Sequence, residues 1–185
     1  IAGAGASNTS ALAFGGGTPD SASTESWNGT NWTAVNNLNT ARYFLGGTGI
    51  ITAALAFGGT PTTGATESWN GTNWTTVNPL NTSRDAPGSA GIQTSALAFG
   101  GTTPSVTNKT ELWNGTNWTE VNDLNTARTQ MSGNGASNTE AIAFGGEAPP
   151  PQALTELWNG TNWTEVNDMN LVRDNLGACG IATAA

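Results

Sequence analysis

The sequence predicts an all-β protein built from four copies of one four-stranded unit. Four segments read Ala-Leu/Ile-Ala-Phe-Gly-Gly, and their phenylalanines are spaced by 42 to 45 residues: Phe14, Phe57, Phe99 and Phe144. No stretch of the 185-residue chain sustains an apolar period of 3.6 residues, which argues against helices. A repeat of roughly 40–50 residues is the length of one four-stranded propeller blade.

The first half of each unit predicts two buried strands. Residues 10–16 are apolar and end in Gly15-Gly16, so they indicate a buried strand that is interrupted by glycine. In the second unit, upstream of the corresponding apolar segment, residues 45–51 are rich in glycine. A strand of this composition can pack tightly beside a central axis. We therefore expect this strand to be the innermost one.

The second half of each unit predicts a hairpin. Residues 24–27 lead into Asn28-Gly29, the dipeptide that best suits a two-residue type I′ turn, and the chain returns as an outer strand at residues 32–35. With such a turn, Glu25 and Trp27 would share a face with Thr30 and Trp32.

Each unit also carries Thr-Glu-Ser/Leu-Trp-Asn-Gly-Thr-Asn-Trp-Thr and, ten residues after the second tryptophan, an arginine. The double glycine, the Glu-x-Trp, the later Trp-Thr-x-Val and the trailing arginine together resemble the kelch repeat, over nearly the whole chain. Two features depart from it: tryptophan stands where kelch units usually have tyrosine, and the turn between the two tryptophans is about two residues shorter. The resemblance implies a β-propeller of four-stranded antiparallel blades.

The predicted domain spans residues 1–185, either as a single propeller or as part of a larger one. The repeats are 1–44, 45–87, 88–130 and 131–175, and residues 176–185 match an additional inner strand. The innermost strand type is thus present five times for four outer hairpins. Three explanations stay open: an excerpt of a longer propeller, a displaced strand, or a ring completed by another copy through unpaired blade edges.

Composition excludes several functional classes. The chain has 13 acidic and 5 basic residues and a net charge of −8, so it lacks the clustered cations that nucleic-acid binding requires. No apolar run approaches the roughly 20 residues of a membrane span, so no membrane insertion is expected. With no histidine and only one cysteine, Cys179, the usual His/Cys zinc sites and His-dependent nucleophiles are excluded.

These exclusions lead us to expect a protein that is not an enzyme and has no cofactor or metal. Galactose oxidase contains a kelch-type propeller, but its copper chemistry relies on tyrosine and histidine, and Tyr43 is the only tyrosine here. That activity is therefore not expected of this chain.

The repeated arginines are the predicted ligand-binding residues: Arg42, Arg84, Arg128 and Arg173. Each lies in the connection from one blade to the next, so we expect them around one face near the axis, where guanidinium groups could bind an acidic group. The alternative is an ion pair with the repeated glutamates, one per unit: Glu25, Glu67, Glu111 and Glu156.

The eight tryptophans favour packing between sheets, because aromatic side chains bury large areas. Only the less buried member of each pair stays a candidate for stacking on sugars, as in lectins. The Asn-x-Thr triplets of the hairpins fit the N-glycosylation pattern, although a turn followed by a strand explains them more simply.

The sequence thus predicts a non-enzymatic, multivalent binding propeller that captures a glycan or an acidic partner group on its arginine-bearing face. The alternative is a structural or assembly module of a fibre, envelope or virus particle. Composition suggests an extracellular or particle-surface protein, bacterial or viral. A unique site would lie in loops that vary between repeats: 17–23, 60–65, 102–109 and 147–154.

Overall fold

Four antiparallel four-stranded sheets form a four-bladed β-propeller, which confirms the predicted fold class. The structure is a computed structural model and describes residues 1–17, 19–178 and 180. Strands follow chain order from the innermost to the outermost position in each blade. No helix occurs among the described residues, and accordingly none could span a membrane.

The blades have closely similar strand bounds. The first blade contains β1 (Ala2–Ser7), β2 (Ser10–Phe14), β3 (Thr24–Trp27) and β4 (Trp32–Val35). The second blade contains β5 (Gly46–Ile50), β6 (Ala53–Phe57), β7 (Thr66–Trp69) and β8 (Trp74–Val77). The third blade begins with β9 (Gly88–Ile92) and β10 (Ser95–Phe99), continues through a small loop hairpin of β11 (Thr102–Thr103) and β12 (Ser105–Val106), and ends with β13 (Thr110–Trp113) and β14 (Trp118–Val121). The fourth blade contains β15 (Ser132–Ser137), β16 (Glu140–Phe144), β17 (Thr155–Trp158) and β18 (Trp163–Val166).

The outer hairpin differs from the predicted two-residue turn. Trp27 pairs directly with Trp32, so the loop holds four residues, 28–31. The side-chain carbonyl of Asn28 accepts hydrogen bonds from the backbone N–H groups of Thr30 and Asn31, at 3.0 and 2.9 Å, and this stabilises the longer loop. Trp27 and Trp32 do share a face, as predicted, whereas Thr30 lies in the loop rather than in the strand.

The glycine-rich inner strands allow consecutive blades to approach closely. A Cβ at Gly47 of β5 would lie 2.6 Å from Cζ of Phe14 in the preceding blade, which is too close for any other residue without a shift. The four inner strands line a central channel of about 840 Å³. The core lies between the sheets in three clusters, each of which joins neighbouring blades.

The additional inner strand predicted over residues 176–185 falls mostly outside the described residues. Residues 176–178 and 180 are described, and none of them belongs to a strand. The prediction for this segment therefore stays a prediction.

Candidate functional site: the blade interfaces and the axial mouth

Three of the four repeated arginines lie between blades and bind the glutamate of the following blade. These arginines and glutamates are buried almost completely. The Nη2–Oε1 distances are 3.0 Å for Arg42–Glu67, 2.7 Å for Arg84–Glu111 and 2.8 Å for Arg128–Glu156. The interblade ion pair, the alternative raised by the sequence, is thus present at three interfaces.

Each of these arginines also holds the loop of the following blade. In the second interface, Nη1 of Arg84 donates to the carbonyl oxygens of Gly100 and Lys109, at 3.0 and 2.6 Å. Its Nε donates to the carbonyl oxygen of Thr82. The carboxylate of Glu111 accepts a second hydrogen bond from the backbone N–H of Asn81, at 2.7 Å. Both charges are therefore hydrogen-bonded within the protein as well as paired with each other.

Burial lowers the pKa of the guanidinium groups of Arg42, Arg84 and Arg128, while the adjacent glutamates act in the opposite direction. An arginine starts so far above neutrality that these groups stay charged at physiological pH. Removal of one partner from such a buried pair leaves the other charge buried without a counter-charge, at a cost of roughly 3–5 kcal/mol. The stability of each blade therefore depends on the charged residue that its neighbour supplies.

An aromatic contact accompanies each ion pair. The outer tryptophan of one blade packs edge-on against the phenylalanine of the preceding blade, with ring centroids 4.9–5.0 Å apart: Phe14–Trp74, Phe57–Trp118 and Phe99–Trp163. The indole N–H donates to a buried threonine hydroxyl of that preceding blade, as from Trp118 to Thr66 at 3.1 Å. Each of these tryptophans therefore buries a large apolar area while its indole N–H keeps a hydrogen-bond partner.

A row of asparagines closes the outer rim of the same interfaces. Nδ2 of Asn78 donates to the carbonyl oxygen of Thr116 and to Oδ1 of Asn117, at 3.0 and 2.8 Å. Asn36 and Asn122 make the equivalent pairs of bonds to the next hairpin. Each interface thus combines an apolar centre, a buried ion pair and a polar rim.

The first and fourth blades carry the residues that would form a fourth interface, but these residues do not contact each other as their equivalents do. Glu25 and Arg173 are both exposed and form no ion pair with each other. Trp32 is 49% exposed, against 5% for Trp74, and Phe144 is only half-buried, while its equivalents are fully buried. In the described part of the chain, three blade interfaces are closed and the one between the fourth and first blades is open.

The arginine-bearing connections also form the mouth of the central channel. Two residues after each arginine, a residue other than glycine adopts a positive φ of 47–54°: Phe44, Ala86, Gln130 and Asn175. Their backbones form a chain of hydrogen bonds, from the N–H of Ala86 to Phe44, of Gln130 to Ala86 and of Asn175 to Gln130, at 2.7, 3.2 and 3.0 Å. We call these four residues the axial mouth; they surround a depression of about 230 Å³.

Charge near the axial mouth is not positive overall. Asp85 and Asp174 directly follow two of the arginines, and both are only half-buried. The charges of Arg42, Arg84 and Arg128 are already balanced by glutamate. Arg173 is the arginine of this set with an exposed side chain.

The variable loops lie on the same face as the axial mouth. Backbone bridges join the inter-blade connections to three of them: Tyr43 to Thr60, Asp85 to Thr102, and Thr129 to Glu147. Among the described residues, no group of three or more histidine, cysteine or acidic side chains could hold a metal ion.

Sequence reasoning found the arginines, the glutamates and the packing of six tryptophans, but not the axial mouth. The ligand-binding role of Arg42, Arg84, Arg128 and Arg173 stays a prediction; the first three have no exposed surface, and they do not converge on the axis. One feature of the sequence indicates the axial mouth: the repeats differ two residues after each repeated arginine.

The fold and its interfaces define this chain as a four-bladed β-propeller whose blades are joined by buried Arg–Glu pairs. No model of a known protein family matches the chain. No curated protein sequence matches it significantly either.

Proposed function

We propose that this protein is a non-enzymatic binding propeller with kelch-type blades, whose ligand docks at the axial mouth of the arginine-bearing face. The observation that carries the proposal is the set of four residues around the channel whose backbones adopt a positive φ although none of them is glycine. Such a conformation costs about 1–3 kcal/mol for a residue other than glycine, and strain of this kind clusters at functional sites.

The axial mouth differs between repeats, whereas the residues of the blade interfaces are nearly constant. Phenylalanine, alanine, glutamine and asparagine occupy its four equivalent positions, whereas the arginine two residues earlier never varies. The blade interfaces keep their residues because those residues pack and pair with each other. At the mouth, Nδ2 of Asn175 donates to Oε1 of Gln130 at 2.6 Å, and the side chain of Phe44 is 46% exposed and accessible to a ligand.

Of the two ligand classes predicted from sequence, charge favours the glycan. Three of the arginines are neutralised by glutamates, and Asp85 and Asp174 would repel an acidic group. Phe44 is 46% exposed and lies against Tyr43, with ring centroids 5.1 Å apart, so an aromatic face is available for stacking on a sugar. The amide groups of Gln130 and Asn175 can donate to and accept from hydroxyl groups.

The test is binding of immobilised neutral oligosaccharides, with a glutamate-rich peptide as the comparison probe. We expect the wild type to bind a neutral glycan, and Phe44→Ala to weaken that binding at least about fivefold, because about 1–3 kcal/mol of stacking is removed. Ile92→Ala is the matched control: Ile92 is also 46% exposed, but it lies at the end of an inner strand away from the mouth.

Two results would contradict the proposal. Equal losses in Phe44→Ala and Ile92→Ala would place binding elsewhere. Binding of the acidic peptide alone, lost in Arg173→Ala, would support the acidic-group alternative.

A structural or assembly module remains the second candidate function, and the buried ion pairs favour it. Breaking one of these pairs leaves a buried charge without its partner, so the pairs hold neighbouring blades in a fixed arrangement, as a spacer requires. Failure of the wild type to bind either probe, with a folded and stable protein, would support this candidate.

A further inference from the structure

The open interface has two complementary halves on one chain. The glutamate half, on the first blade, consists of Glu25, Thr30, Asn31 and Trp32. The arginine half, on the fourth blade, consists of Phe144, Thr155, Asn167 and Arg173. Every residue in these halves has a counterpart that forms a contact at the three closed interfaces.

We propose that the arginine half of one chain binds the glutamate half of a second copy, and that two copies pair reciprocally into one closed assembly. This inference does not depend on the proposed ligand site. A twofold arrangement satisfies both halves of both chains, whereas a single head-to-tail contact would leave one half of each pair unused.

Charge complementarity is the first argument for this partner. Among the residues that the structure describes, Arg173 is paired with no glutamate and Glu25 with no arginine, while all the equivalent residues are paired at 2.7–3.0 Å. A partner for the glutamate half must therefore supply a guanidinium group, a phenylalanine edge and a hydroxyl acceptor for the indole of Trp32. The fourth blade of the same chain presents this combination.

Exposed apolar surface beside Arg173 is the second argument. Leu171 and Val172 are 63% and 61% exposed, at positions where the other repeats have Thr-Ala or Thr-Ser: 40–41, 82–83 and 126–127. At these two positions the open edge is more apolar than its equivalents at the closed interfaces, and Trp32 on the other half is also exposed. Adjacent exposed apolar side chains of this kind mark contact sites.

Loop contacts would extend the same interface. Nδ2 of Asn138 in the fourth blade donates to the carbonyl oxygen of Trp113 in the third, at 2.9 Å. Asn8 is the equivalent of Asn138 in the first blade, and its side chain is exposed. In the proposed pair it meets the carbonyl oxygen of Trp158 of the other copy.

Charge reversal tests this pairing. We expect the wild type to associate with increasing concentration to twice the monomer mass in sedimentation and light scattering. Arg173→Glu and Glu25→Arg should each weaken association about thirtyfold or more, since truncating one partner of a buried charge pair costs at least about 2 kcal/mol.

Mixing the two variants is the decisive step. At one contact, the glutamate introduced by Arg173→Glu would face the arginine introduced by Glu25→Arg. The second contact would be the natural Arg173–Glu25 pair, so a one-to-one heterodimer should form. Lys109→Glu and Asp20→Arg are the matched controls, because they reverse charge in the same two directions at solvent-accessible positions outside both halves. They should associate as the wild type does.

Three results would overturn the proposal. The first is a wild type that stays monomeric up to its solubility limit. The second is association that neither reversal weakens. The third is failure of the mixed variants to associate although each is folded by circular dichroism.

Discussion

Trp32 and Trp74 occupy the same place in neighbouring blades, and their surroundings are opposite. Trp74 packs edge-on against Phe14 and donates its indole N–H to Thr24, so only 5% of it is exposed. In the described part of the chain, Trp32 packs against no preceding blade, and it is 49% exposed. Identical local sequence thus produces a core residue in one blade and a surface residue in another, because burial here depends on the neighbouring repeat.

The same contrast separates Arg84 from Arg173 and predicts the largest difference. Arg84→Ala should lower the free energy of unfolding by about 3–5 kcal/mol, because Glu111 is left buried without a counter-charge. Arg173→Ala should change it by less than about 0.5 kcal/mol in the monomer. Urea denaturation at low protein concentration measures both, and equal losses would show that the fourth interface is closed within the chain.

The outer tryptophans give the next effect. Trp118→Phe should cost about 2–3 kcal/mol, because it removes packed area against Phe57 and leaves the hydroxyl of Thr66 without its donor. Trp32→Phe should leave the stability of the monomer nearly unchanged. Thermal unfolding followed by circular dichroism distinguishes the two, and a similar drop for both variants would contradict the difference in burial.

Threonine hydroxyls at the interfaces should show a smaller version of this contrast. Thr66→Val keeps the shape of the side chain but removes the acceptor for Trp118, at a cost of about 1–2 kcal/mol. Thr155→Val removes no such bond, since no tryptophan packs on the fourth blade from outside in the described structure. Denaturant midpoints of the two variants are the measurement, and a larger loss for Thr155→Val would reverse the assignment.

The asparagine rim should contribute least. Asn78→Ala removes two hydrogen bonds to the next hairpin at an exposed site and should cost about 0.5–1 kcal/mol. Asn167 has no hairpin to bind in the described part of the chain, so Asn167→Ala should be neutral in the monomer. If Asn167→Ala weakens self-association instead, the rim contact forms between copies.

Repetition explains why so much of this fold could be predicted from sequence. Phe14 and its three equivalents, followed by paired glycines, established the period, and the period determined the blade. The turn after Trp27 was predicted wrongly, because the capping of Thr30 and Asn31 by the side chain of Asn28 favours four loop residues over two.

The candidate site was less accessible to sequence reasoning for two physical reasons. Arg84 and Glu111 belong to different blades, and spacing along the chain alone does not show which blade supplies a partner. Phe44 and Gln130 adopt a positive φ at bends whose backbone groups bond to the neighbouring connection, and the sequence does not indicate this conformation, since neither position is glycine.

Exchange of the eight indole N–H groups with solvent, followed by NMR, tests the open interface most directly. In dilute protein, the indoles of Trp74, Trp118 and Trp163 should exchange slowly, because each donates to a buried threonine hydroxyl. Trp32 should exchange rapidly, and it should become protected only as concentration rises. A Trp32 indole that is as protected as the other three at the lowest concentration would contradict the open ring.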